Sequence, residues 1–135
     1  MRRPGCRSRV WTGKDRGVRI LILEDDPFIA LDLQAILEGR GHEIVDVCCS
    51  LDEARRHLDK AFDYALLDID VVGGKSFGIA AALLDRRVPF AFVSASRPKD
   101  VPPLLGAARF ISKPFEERAI LHSVEQAAPE AAARF

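Results

Sequence analysis

Two apolar runs, far apart in the sequence, end abruptly in carboxylates. Leu21-Ile22-Leu23 leads straight into Glu24-Asp25-Asp26, and Ala65-Leu66-Leu67 leads straight into Asp68. A short continuous apolar run bounded by polar residues is what a strand buried on both faces requires. In an open parallel sheet, ligands bind and chemistry is done at the carboxyl ends of such strands. Two acid-terminated runs in one short chain therefore predict carboxylates converging on a cation. Complementary groups follow in order: residues 88–93 end in Ser94, and residues 109–112 end in Lys113.

The segments between these runs read as helices. Asp26-Pro27 gives an N-cap and a proline at the first helical position. Ile29, Leu33, Ile36 and Leu37 then form an apolar stripe, ended by Gly39 and Gly41. Residues 43–48 read as a second strand. Ser50-Leu51-Asp52-Glu53 reads as a capping box opening a helix to about Lys60. Residues 61–67 form the third strand, 71–76 a loop, 77–86 a helix, and 115–128 the last helix, with Glu116 and Glu117 in its first turn. Five strand–helix units in alternation predict an α/β fold, a doubly wound parallel sheet covered on both faces. The fourth helix is the weak unit, because Pro98, Pro102, Pro103 and Gly106 leave room for one or two turns at most.

Composition narrows the function classes. With 135 residues, 48% of them hydrophobic, the chain is expected to form one domain with a real core. No stretch approaches the roughly 20 apolar residues of a membrane span. Basic residues open the chain but no apolar segment follows them, which argues against a signal peptide. Three cysteines, an odd number, fit a reducing cytoplasm better than a disulfide framework. The zero net charge hides an asymmetry. Residues 1–16 carry six bases against one acid, a net +5, and the remainder carries 14 bases and 19 acids, a net −5. Residues 1–17 are therefore expected to be a flexible basic arm, 18–128 the domain, and 129–135 an Ala-rich tail. A solvated terminus is the simpler expectation for the arm, so neither a nucleic-acid nor a membrane partner is expected.

Glu24-Asp25, Asp68, Ser94 and Lys113-Pro114-Phe115 lie at the ends of four separate strands, and that order resembles the receiver domain of two-component response regulators. The resemblance covers residues 18–128 and implies a flavodoxin-like (βα)5 sheet ordered 2-1-3-4-5. It implies that Asp68 is the phosphoacceptor, that Lys113 and Ser94 contact the phosphoryl group, and that Ser94 and Phe110 form the switch. It also implies a cis Lys113–Pro114 bond. Electrostatics supports these roles, since unit charges about 4 Å apart repel by roughly 4 kcal/mol at an effective dielectric near 20. Mg²⁺ usually takes one or two carboxylates and leaves positions for phosphate oxygens. Asp25 and Asp68 are expected to bind it directly, Glu24 through water, and Asp70 through its backbone carbonyl. The implied partners are a histidine kinase and a downstream protein, with action as a phosphate sink the other possibility.

The chain departs from that pattern at several positions. Val72 stands where proline is frequent, Asp70 where asparagine is frequent, and Phe110 where a switch aromatic often carries a hydroxyl. The Val71-Val72-Gly73-Gly74 stretch, Phe92-Val93-Ser94 and the eroded fourth helix resemble the atypical FAT GUY receivers, which pair with HWE or HisKA_2-type kinases. Against a full match, Ala95 replaces the expected glycine and no aromatic follows at 96 or 97. Two other classes match part of the pattern. A haloacid-dehalogenase-type phosphatase would match Asp68-Ile69-Asp70, but there the motif follows the first strand of a longer chain. A pseudo-receiver that only binds protein would not need Asp25, Asp68 and Lys113 together. Cys48-Cys49, His42, His57, His122 and Trp11 show no ligand spacing and read as packing or surface residues.

Overall fold

The structure, a computed structural model, describes residues 17–127. Trp11, most of the expected basic arm and the expected tail lie outside these residues. Seven strands and four helices follow in the order β1 (Arg19–Leu23), α1 (Pro27–Gly39), β2 (Glu43–Cys48), α2 (Leu51–His57), β3 (Tyr64–Leu67), β4 (Asp70–Val71), β5 (Gly74–Lys75), α3 (Phe77–Asp85), β6 (Phe90–Ser94), β7 (Arg109–Ser112) and α4 (Glu117–Gln126). Two 3₁₀ turns, Pro98–Asp100 and Pro103–Leu105, lie between β6 and β7.

Five strands form one sheet in the order β2-β1-β3-β6-β7, all parallel. With the two-residue strands β4 and β5 set aside, this is the expected order 2-1-3-4-5. Successive residues of a strand point to opposite faces, and the chain uses both. Leu21, Leu23, Ala65, Leu67, Phe90 and Phe92 pack beneath α2 and α3, with Leu51, Ala54, Ile79 and Leu83. Ile20, Ile22, Tyr64, Leu66, Ala91 and Val93 pack beneath α1 and α4, with Leu33, Leu37, Ile120 and Val124. Phe92 anchors the first layer, with Phe77 and Phe90 edge-on to it at 6.0 and 5.5 Å.

The helix signals hold with adjustments. Asp26 Oδ1 accepts from the N–H groups of Phe28 at 2.9 Å and Ile29 at 3.4 Å, and Gly41 takes a left-handed φ of 91° just past the end of α1. Ser50 accepts from Glu53 N, but the expected return bond is shifted by one residue: Glu53 Oε1 accepts from Cys49 N. Helix α2 ends at His57, short of Lys60. The third strand starts at Tyr64 rather than 61; at Asp63 the side chain takes the place of a ladder carbonyl, Oδ2 accepting from Arg19 N at 3.0 Å. The strand expected at 88–93 starts at Phe90. The last helix begins at Glu117, with Glu116 at its cap.

Two larger differences matter for the site. The fourth helix is replaced by the two 3₁₀ turns, as the prolines require. Residues 71–76, expected to be a loop, instead contribute to the antiparallel hairpin of β4 and β5, with Asp70 opposite Lys75 and Val71 opposite Gly74. Gly73 and Gly74 allow the tight reversal, at φ of 104° and 128°. The hairpin is pinned on α2: Leu51 N donates to Val72 O at 3.0 Å, and a bridge joins Ser50 to Val72. Among the described residues, no helix is long and apolar enough to cross a membrane.

Candidate functional site

The parallel ladder brings the four strand-end positions to one edge of the sheet. Asp68 N donates to Leu23 O at 2.8 Å, Lys113 N to Ser94 O at 3.0 Å, and Glu24 N to Cys48 O at 2.8 Å. Glu24 and Asp68 are buried, at 2% and 8% exposure, while Asp25 is exposed. One carboxylate oxygen from each of Glu24, Asp25 and Asp68 lies within 4.8 Å of the other two. Lys113 reaches into this group across the sheet. Its Nζ lies 2.7 Å from Glu24 Oε1 and 3.1 Å from Asp68 Oδ2, and the Lys113–Pro114 bond is cis, as expected.

The two buried carboxylates are held from behind. Asp68 Oδ1 accepts from Ile69 N at 2.8 Å, and Glu24 Oε2 accepts from Asp26 N at 3.0 Å. Desolvation raises the Glu24 carboxyl above its ordinary range, outweighing the opposing bonds from Lys113 and the Asp26 N–H. For Lys113, desolvation is the largest single effect and lowers its ammonium. The bonds to Glu24 and Asp68 together outweigh it and leave the group raised. Three carboxylates share one ammonium, so the donor set carries excess negative charge and offers hard oxygen ligands. That is the chemistry a divalent cation fits.

Ser94 is buried beside this group, and its hydroxyl accepts from Ser96 N at 3.2 Å. Among the described residues, no hydrogen bond joins the Ser94 hydroxyl to Asp68 or Lys113. Asp70 is exposed, and its side chain is bonded outside the acidic group. Its carboxylate is ion-paired with Lys75 and accepts from Ser96 Oγ at 3.2 Å. The Lys75 bond, with help from Ser96, holds Asp70 below the usual carboxylate range. Phe110 is half-buried on β7, its ring centroid 6.4 Å from that of Phe92, so it borders the core rather than the carboxylates.

Ser76 is a site residue that sequence reasoning missed. Fully buried at the cap of α3, it makes no side-chain capping bond; its hydroxyl donates to Asp68 O at 2.6 Å. A serine opening a helix was visible in the sequence, but its choice of acceptor was not. The remaining candidates stay apart from the site. Burial pushes the Cys48 thiol up to about 12, Cys49 donates to Glu53, and His122 is exposed on α4.

The response regulator receiver domain model matches residues 20–125, and the chain belongs to that family. The chain is 32% identical over 126 residues to the phyllosphere-induced regulator PhyR of Methylorubrum extorquens, covering 84% of this chain and 44% of that protein. The crystal structure of the response regulator PhyR from Brucella abortus is similar at 27% identity and a TM-score of 0.73, over 88% of this chain and 51% of that one. A CheY-like receiver domain protein from Methanospirillum hungatei superposes at a TM-score of 0.76 with 25% identity, over 89% of this chain and all of that one. The chain thus spans about half the length of the PhyR proteins it matches.

Proposed function

We propose that this chain accepts a phosphoryl group onto Asp68 from the phosphohistidine of a histidine kinase, and signals by changing its affinity for a downstream protein. The observation that carries the proposal is the Asp68 carboxylate bonded to the Lys113 ammonium beside Glu24 and Asp25, in a chain of the receiver family. An Asp68 oxygen forms the new bond to phosphorus while the donor's phosphorus–nitrogen bond breaks, its electron pair leaving with the imidazole. The transition state is loose, so the residues around Asp68 need only position the group and stabilise charge on its oxygens.

The chain's own groups divide that work. Backbone bonds to Asp68 from both sides aim its carboxylate. Lys113 supplies a positive charge to a phosphoryl oxygen. Ser94 accepts from Ser96 N, which leaves its own proton free to be donated to a second oxygen. Asp25 and Asp68 directly, Glu24 through water and the Asp70 backbone carbonyl would hold Mg²⁺, which would supply charge neutralisation for the transferring group. Phe110 is the switch aromatic, turning with Ser94. The kinase is of the HWE or HisKA_2 type and the setting is the cytoplasm. The glycine-built hairpin and the missing fourth helix support the kinase type.

Intact mass tests the proposal. Acetyl phosphate with Mg²⁺ should add one phosphoryl mass, and Asp68→Asn should abolish it. Labelling of that variant at another residue would refute the assignment, and an unlabelled wild type would favour a receiver that binds partners without phosphotransfer.

A further inference from the structure

The ion pair between Asp70 and Lys75 is exposed, with side chains at 57% and 58% of full accessibility. Pairs of this kind add little to stability, yet much of the local backbone serves to form this one. Two consecutive glycines at positive φ set the hairpin register that puts Lys75 opposite Asp70. Gly73 lies over the Leu51 side chain, and the bonds to Ser50 and Leu51 fix the hairpin in place.

The position of the pair gives it a chemical consequence. Asp70 follows Asp68 by two residues, and its carboxylate is tied by Ser96 Oγ to the segment just after Ser94. Ser96 also donates its N–H to Ser94 Oγ, so Ser94, Ser96, Asp70 and Lys75 form one hydrogen-bonded chain along the rim of the site. A free carboxylate on that rim would repel any anionic donor approaching Asp68. Lys75 cancels that charge, and Ser96 fixes the carboxylate pointing along the rim.

We propose that Lys75 is a positioning residue for phosphoryl transfer: by neutralising Asp70 at the rim, it sets how fast anionic phosphodonors reach Asp68. The inference rests on the phosphoacceptor reading of Asp68 given above. Lys75 acts through Asp70 and contacts neither the phosphoryl group nor its acceptor. The Val72-Gly73-Gly74 turn is thus the means by which this chain tolerates an acid at position 70.

The test is the initial rate of labelling by acetyl phosphate at saturating Mg²⁺, at low and high ionic strength. The proteins compared are wild type, Lys75→Gln, Asp70→Asn and the double variant. At low salt Lys75→Gln should be slower than wild type by about fivefold, from one uncompensated charge near a dianion. The gap should close at high salt. The double variant, whose rim again carries no net charge, should return to the wild-type rate, a rescue that a fold defect would not give. A Lys75→Gln rate equal to wild type, a salt-independent defect, or a double variant as slow as Lys75→Gln would each overturn the inference while leaving Asp68 as the acceptor. A wild type that takes no label on Asp68 would overturn both.

Discussion

Removing Lys113 should expose how much of the fold's stability is committed to the acidic site. At an effective dielectric near 20, its ammonium attracts Glu24 at 2.7 Å and Asp68 at 3.1 Å by about 6 and about 5 kcal/mol. Desolvating the ammonium costs several kcal/mol, and a stranded carboxyl can relax by taking up a proton. Lys113→Met should therefore destabilise by about 3 kcal/mol at neutral pH, a large share of the roughly 5–15 kcal/mol that holds a domain together. The pH dependence has a definite sign. Burial already raises Glu24 from its ordinary 4.5, so the folded state holds more protons than the unfolded between the two values, and stability falls as pH rises through that window. Lys113 is raised from 10.5, so its contribution is complete below 10.5 and is lost only as pH climbs through the folded value. Without Lys113, Glu24 should rise further, making the deficit largest above that window and smaller on acidification. Urea unfolding of both proteins from pH 4.5 to 8 measures this, with the m-value unchanged. Equal stability at neutral pH, or a deficit of the same size at both ends of the range, would refute the reasoning.

Two further outcomes are expected. Ser76→Ala removes a buried donor from Asp68 O and should cost about 1–2 kcal/mol in urea unfolding, with Ser76→Thr recovering part of the loss; an unaffected Ser76→Ala would mean the 2.6 Å bond carries no net energy. Beryllofluoride, standing in for the phosphoryl group, should raise hydrogen-exchange protection across residues 95–110, where two 3₁₀ turns replace a helix. Equal protection with and without it would count against an ordering switch.

The sheet was legible because its three central strands, β1, β3 and β6, are buried on both faces, and such strands leave continuous apolar runs. The polar residue ending each run then marks the sheet's carboxyl edge, which is how Glu24, Asp68, Ser94 and Lys113 could be grouped across 89 positions. The prolines at 98, 102 and 103 were equally direct, because each limits φ and removes a donor. The hairpin was not legible. A two-residue strand has no periodicity, and Gly73-Gly74 reads as a loop unless Leu51 and Ser50 are known to lie beneath it. The shifted bond of Glu53 and the inward turn of Ser76 failed for one reason: a short side chain at a helix start has several acceptors or donors in reach, and the tertiary fold chooses among them.

That distinction bears on how the site communicates. The carboxylates and Lys113 sit on strand ends fixed by the sheet, so they are positioned before any ligand arrives. The groups around Ser94 are held differently. Ser94 is bonded to Ser96, Ser96 to Asp70, and Asp70 to Lys75 on the hairpin, while the chain beyond Ser96 enters the 3₁₀ turns, where only Leu105 is fully buried. A phosphoryl group drawing Ser94 toward Asp68 would therefore work against few packed contacts on one side and a pinned hairpin on the other. Movement then goes preferentially into residues 97–108, the less anchored side. In this chain the prolines that removed a helix would also lower the cost of transmitting phosphorylation of the proposed acceptor, Asp68.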